Sequence, residues 1–511
     1  MAKPVTLNLF VDKFCKKLIY AESDEHFVDI LLSFFTLPLA STLRLTKQSF
    51  WSMNNLLESV ESLGSVCFSS EACRSMLLCP SNSASHLLTF LPIVYDNISN
   101  LFRFYYTCSS SSSSNHHLSF YANTHCPCGG LMNKKLEFLA DNAPSTNAYS
   151  SVFFNCTSKF IISDDLFVSQ FSVEFSIEQL SKLNIDQWSY LRPVRVDVTA
   201  EKIVELLKRL LVSDTPLTDV FLGDLKGKDR LQLIQQPLPP KFDETKMTPA
   251  ASARKISLKL HFKEDEETAL FAEAGEDFVE LLFGFLTYPM GAVIKKLGGR
   301  SGIRCMDNLY NSVEALKAAN CFRNNELIGK LLNPKLPPFF NTKNQLIKLD
   351  EETYQIRNYF TCSIVSCQYS STVGNKACTC QHYKDGKCRQ LILTDPKRGS
   401  KDDPSTGGYM RISRYIVKED LVIRPPSSHM VIAGILRKDG ARQGIYALRG
   451  IRARNVEIGE HEALALLWAS ITFKNVFTDA LLGVKRGKHR FRSLVEPAQG
   501  NTIKSHLILG F

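Results

Sequence analysis

AEAGEDFVELLFGFLTYP, residues 272–289, repeats the text of residues 21–38, AESDEHFVDILLSFFTLP. Nine of the eighteen positions are identical, where unrelated sequence would give about one by composition. The 511-residue chain therefore reads as a tandem duplication. Within the segment, Phe278, Leu281, Leu282 and Phe285 stand at i, i+3, i+4 and i+7, matched by Phe27, Ile30, Leu31 and Phe34. That spacing predicts a helix with one apolar face on a core. Pro289 and Pro38 are expected to end it, because proline lacks the amide a helix needs to continue. Asp29 and Glu280 occupy the same place in the two copies. Carboxylates are seldom buried, so a solvent-facing edge of the helix is expected for both, with a recognition or catalytic role as the alternative.

Upstream of the helix, Leu7, Leu9 and Val11 alternate with polar or differently directed neighbours, as do Leu258, Leu260 and Phe262. A polar turn and a second short apolar run follow in each copy, which together predict a β-hairpin. Downstream, NNLLESVESL (54–63) aligns with DNLYNSVEAL (307–316) as another core helix, and FYYTC (104–108) aligns with NYFTC (358–362). Ser163-Asp164-Asp165-Leu166 matches Lys418-Glu419-Asp420-Leu421 at the entry to a strand, and residues 196–223 match 456–483 as a closing amphipathic helix. The Gly-rich basic loop around Arg300 fits no nucleotide motif and reads as a connector.

Composition places the chain in the ordinary globular class, with 44% hydrophobic and 22% charged residues. Residues 1–250 hold 22 Lys+Arg against 25 Asp+Glu, and the remainder 39 against 26, so the halves differ in charge from −3 to +13. A basic half suits an acidic partner, nucleic acid or an anionic surface among them; surface solubility is the plainer explanation. The amino terminus lacks the pattern of a secretory signal and no apolar run approaches a bilayer span, so a cytoplasmic or nuclear protein without a membrane is expected. The expected boundaries are a first domain at 1–234, a Pro-rich linker at 235–253, a second domain at 254–483 and a basic tail at 484–511.

The AE-x(3)-FV-x(2)-L-x(2)-F-x-T-x-P segment, the NL-x(2)-SVE-x-L helix and the TD-x(2)-LG block, met twice in the same order, resemble the plant family labelled domain of unknown function 674. The resemblance covers nearly the whole chain. It implies a plant origin and a tandem arrangement of homologous α+β domains, and it carries no catalytic or binding residues.

One constellation has chemical content of its own. Cys362-x4-Cys367 is followed by Cys378-x-Cys380, with His382 and Cys388 close by. Four thiolates from two close pairs can make a tetrahedral zinc site, although two to four residues between paired ligands is the usual spacing. The first copy keeps Cys108, Cys126 and Cys128 but has serines at 109–114 where the second ligand would fall, leaving His116, His117 or His125 as substitutes. A closed four-thiolate site is structural, since catalytic zinc keeps an open position. Gly483-x3-Gly487-Lys488 is one residue short of a phosphate-binding loop, and no GxSxG, HExxH or GxGxxG occurs.

These readings converge on an α+β chain of two tandem homologous domains, each a β-hairpin with packed helices and a cysteine loop. A non-catalytic interaction or scaffold protein with an unidentified protein partner is expected, with structural zinc on Cys362, Cys367, Cys378 and Cys380. Nucleic-acid binding through the basic second half, and an enzyme of unknown type, are the alternatives.

Overall fold

The computed structural model describes residues 5–14, 16–47, 51–85, 104–108, 116–138, 151–155, 159–182, 191–223, 240, 254–263, 268–343, 345–352, 359–362, 369–371, 388–399, 407–411, 414–427 and 450–482. Of the expected linker only Pro240 is among them, and the tail 484–511 lies outside them. Helices and strands are mixed along the chain, and the fold is α+β.

Strands β1 (Thr6–Asp12) and β2 (Leu18–Ser23) form the expected hairpin, as do β10 (Ile256–Lys263) and β11 (Thr268–Ala274). The two hairpins agree in register. Asn8 opposes Glu22 and Lys259 opposes Glu273, with a bulge at the equivalent step, Phe10/Val11 and His261/Phe262. The first hairpin belongs to an antiparallel sheet in the order β8-β7-β2-β1-β9, with β7 Phe160–Ser163, β8 Val168–Gln170 and β9 Leu191–Asp197. The second sheet repeats that order as β16-β15-β11-β10-β17, with β15 Tyr415–Lys418, β16 Ile423–Arg424 and β17 Ile451–Ile458.

Helix α1 (Glu25–Ser33) opens with Asp24 accepting a hydrogen bond from the His26 amide at 3.2 Å and buries Phe27, Ile30 and Leu31. Its counterpart in the second half, Glu276–Phe285, buries Phe278, Leu281, Leu282 and Phe285. Neither proline ends its helix directly. The helices close at Ser33 and Phe285, a tight turn intervenes, and Pro38 and Pro289 stand at the N-caps of the next helices, α2 (Leu39–Thr46) and Met290–Lys296. There the two halves meet: Pro38 bridges Pro289, the Leu39 amide donates to Tyr288 O and the Met290 amide to Leu37 O, both at 3.0 Å. Each bond mirrors the other, as contacts across a twofold axis do.

The reciprocity extends through the next helices, α3 (Trp51–Ser62) and its counterpart Arg304–Ala318. Asn55 Nδ2 donates to Asp420 O while Asn308 Nδ2 donates to Asp165 O, at 2.7 and 3.0 Å. Ser59 Oγ accepts from the Ile423 amide and Ser312 Oγ from the Val168 amide, at 2.9 and 2.8 Å. Each helix thus closes the edge of the opposite half's sheet. Leu7, Phe27, Met53, Phe278, Val313 and Leu466 all belong to one continuous hydrophobic core.

A third sheet is built from both halves. Its strands β3 (Phe104–Cys108), β4 (His116–Ser119), β5 (Thr124–His125) and β6 (Leu131–Phe138) come from the first half, and β12 (Tyr359–Cys362), β13 (Tyr369–Ser371) and β14 (Cys388–Leu393) from the second. The order is β13-β12-β14-β4-β3-β6-β5, and β13 also pairs with β6, so β13, β12, β14, β4, β3 and β6 close into a ring. The two seams between halves, β14–β4 and β6–β13, are parallel, and the pairings within each half are antiparallel. Closure leaves no free edge among the ring strands. No helix among the described residues is long and apolar enough to cross a membrane.

Candidate metal centre

The thiol-bearing part of the first half is one turn and one strand end. Thr124 and His125 pair with Met132 and Leu131, which forces Cys126-Pro127-Cys128-Gly129-Gly130 into a tight reversal. The Gly129 amide donates to Cys126 O at 2.8 Å and the Cys126 amide to Gly130 O at 2.9 Å, with Gly129 at φ +96°. A side chain at that φ would be strained, so glycine suits the position. On the other side of β6, Cys108 opposes Met132 after a bulge at Thr107/Cys108. The three sulfurs consequently lie within 4.8 Å of one another, and Cys108 Sγ and Cys128 Sγ are 3.4 Å apart. Cys126 is buried and the other two are partly exposed.

The thiols differ in acidity. Burial pushes Cys126 up to about 12, while the backbone N–H of Gly130 and the neighbouring thiols draw Cys128 below the usual thiol value. A cation at the centre of the three sulfurs would stabilise the thiolate form of all three. This cysteine triad can hold a metal.

Of the second-half set, Cys362 is the last residue of β12, with its backbone opposite Cys388 of β14. The side chain of Cys362, and Cys367, Cys378, Cys380 and His382 altogether, lie outside the described residues. Of the histidines proposed to complete the first set, His117 and His125 do not join the triad. His117 Nδ1 is 3.1 Å from Thr394 Oγ1, His125 Nδ1 is buried without a hydrogen-bond partner, and the side chain of His116 is not described.

The carboxylates of the quoted helix are a correction. Asp29 is 0% exposed and Glu280 6%, so neither lies on a solvent-facing edge. Asp29 accepts from Ser151 Oγ at 3.0 Å, the Val152 amide at 2.7 Å and the Phe153 amide at 3.1 Å. Glu280 Oε1 accepts from the Met410 amide at 3.0 Å. Burial raises Asp29 to about 6 and Glu280 to about 7. Each acid fixes a segment that reaches the opposite half, Phe154 bridging Phe322 and Met410 bridging Phe68.

Asp164, Glu419, Asp307 and Lys397 also bond backbone groups. Thr218 donates its amide and hydroxyl to Asp164 at 2.9 and 2.7 Å and accepts from the Leu18 amide at 2.9 Å. In the second half the Thr478 amide donates to Glu419 and Thr478 Oγ1 accepts from the Ala269 amide, both at 2.9 Å. The paired acid and TD-x(2)-LG blocks are therefore two parts of one joint. Asp307 gathers the glycine loop, accepting from the Ser301 amide and hydroxyl and the Gly302 amide. Sequence reasoning gave no role to Lys397, which is 3% exposed, donates from Nζ to Phe339 O and Asn341 O, and lies 5.5 Å from the Tyr409 ring centre.

A thiol-bearing α+β fold with mirrored halves and a ring of strands shared between them is the class these features define. The chain belongs to the family described as Protein of unknown function (DUF674), whose family model matches residues 2–441. No curated protein and no solved structure matches it.

Proposed function

We propose that the chain is a non-catalytic interaction protein, with metal serving structure. The observation that carries this is the division of labour among its side chains. Asp29, Asp164, Glu280, Asp307 and Lys397 are bonded to backbone groups that hold segments in place. Apolar side chains, meanwhile, face water on a short helix, α4 (Val173–Lys182), whose Val173 and Ile177 are 65% and 57% exposed beside Phe171 at 46%. Phe175 and Leu180 of that helix pack on the outer face of the first sheet, against the cluster of Ile19, Tyr20 and Ile161. The helix thus has a second apolar face left for a partner, as interaction surfaces do.

The double substitution Val173→Glu and Ile177→Glu tests the reading. A protein retained by the wild-type full chain through stringent washing should be lost by the variant, with the melting temperature unchanged. An identical retained set for both, or none for the wild type, sinks it. Structural zinc on Cys362, Cys367, Cys378 and Cys380 belongs to the same reading; two thiol pairs close in sequence, the first beginning at the last residue of β12, support it.

A further inference from the structure

We propose that Cys108, Cys126 and Cys128 supply three thiolate ligands to a thiophilic divalent cation, zinc foremost. The site stands independently of the four-cysteine set in the second half.

Geometry carries the assignment. Zinc binds thiolate sulfur at about 2.3 Å, which places tetrahedral neighbours about 3.8 Å apart. The Cys108–Cys128 separation of 3.4 Å and the 4.8 Å limit on the others bracket that value, so a cation can enter with small side-chain adjustments. No disulfide involves Cys108, Cys126 or Cys128.

The sulfurs are also delivered by ordered backbone. Two come from the reversal pinned by Gly129 N to Cys126 O and Cys126 N to Gly130 O, and the third from the end of β3, bulged where it passes β6. The remainder of β6 runs on to Glu137 and Phe138, which pair with Tyr369 and Ser370 of the second half. A metal on the triad would therefore clamp β3, the β5–β6 turn and, through β6, one seam of the shared ring.

Zinc content of the reduced full chain, measured by elemental mass spectrometry, tests this with two variants. Cys126→Ser with Cys128→Ser should lose one equivalent per chain relative to wild type, whatever Cys378→Ser with Cys380→Ser does. The latter variant reports on the second-half set alone, so the two sites fail separately. Unchanged zinc in the first variant overturns the proposal. A measurement on unsubstituted protein covers a variant that misfolds: Cys108 and Cys128 should resist alkylation when zinc-loaded and become reactive together on chelation. Equal labelling before and after chelation, or a Cys108–Cys128 disulfide in protein isolated with its thiols trapped, overturns it as well. Cobalt(II) in place of zinc should give a thiolate charge-transfer band that is lost in Cys126→Ser with Cys128→Ser and kept in Cys378→Ser with Cys380→Ser. A band kept in the former counts against the triad.

Discussion

Asp29 and Glu280 show how far a single residue can be judged from its neighbours in sequence. The amphipathic spacing around them is sound, yet the donors that hold Asp29 sit at Ser151, Val152 and Phe153, and that of Glu280 at Met410. No local pattern announces partners so far along the chain. Asp29→Ala should destabilise the fold by about 3 kcal/mol in urea unfolding, because it strands buried donors. The acidity of the pair adds a pH signature. A carboxyl raised on folding contributes stability that is complete below its unfolded value and is lost as pH rises through its folded value. For Asp29 that loss runs from 3.8 up to about 6, and for Glu280 from 4.5 up to about 7. Unfolding free energies measured from pH 5 to 8 should therefore decline less steeply in Glu280→Gln than in wild type. An unchanged slope would show that Glu280 does not titrate in this window. Leu166 and Leu421, each buried at φ +63° one residue beyond the repeated acid pair, are matching strained positions.

At the scale of the element, the hairpins and first helices were legible because their periods of 2 and 3.6 are written in the apolar residues themselves. The shared ring was not. Its seams pair β14 with β4 and β6 with β13, strands far apart in the chain whose few residues carry no mark of their partner. The cysteine turn was half legible: its thiols were visible, but its compact geometry depends on Gly129 and on strand register. Close approach of helices gives a sharper forecast. A Cβ on Gly291 would come within 2.4 Å of Leu331 O and 3.1 Å of Phe35 Cβ, whereas the equivalent position in the first half is Ala40. Gly291→Ala should cost about 1–3 kcal/mol through forced displacement of backbone, read as a lowered melting temperature. A neutral result would mean that the helix Met290–Lys296 can shift away from Leu331.

For the whole molecule, mirrored bonds at Leu39 and Met290, exchanged helix contacts and a common core tie the two halves together. The full chain should unfold in one cooperative transition, with fluorescence and circular dichroism coincident in urea. Residues 254–511 expressed alone should lack that transition and regain it on co-expression with residues 1–250. Cooperative unfolding of the isolated half at the full-chain midpoint would contradict this.

The crossing at Pro38 and Pro289 has a consequence for how the surfaces can diverge. Two identical chains meeting on a twofold axis carry every substitution in duplicate, so a change must suit both sides at once. Here Leu37 O accepts from the Met290 amide and Tyr288 O from the Leu39 amide within a single polypeptide, so Leu37 and Tyr288, at equivalent positions, already differ. The paired joints can hold a constant frame while the exteriors take opposite charge, −3 over residues 1–250 and +13 over the rest. A symmetric skeleton thereby supports an asymmetric skin.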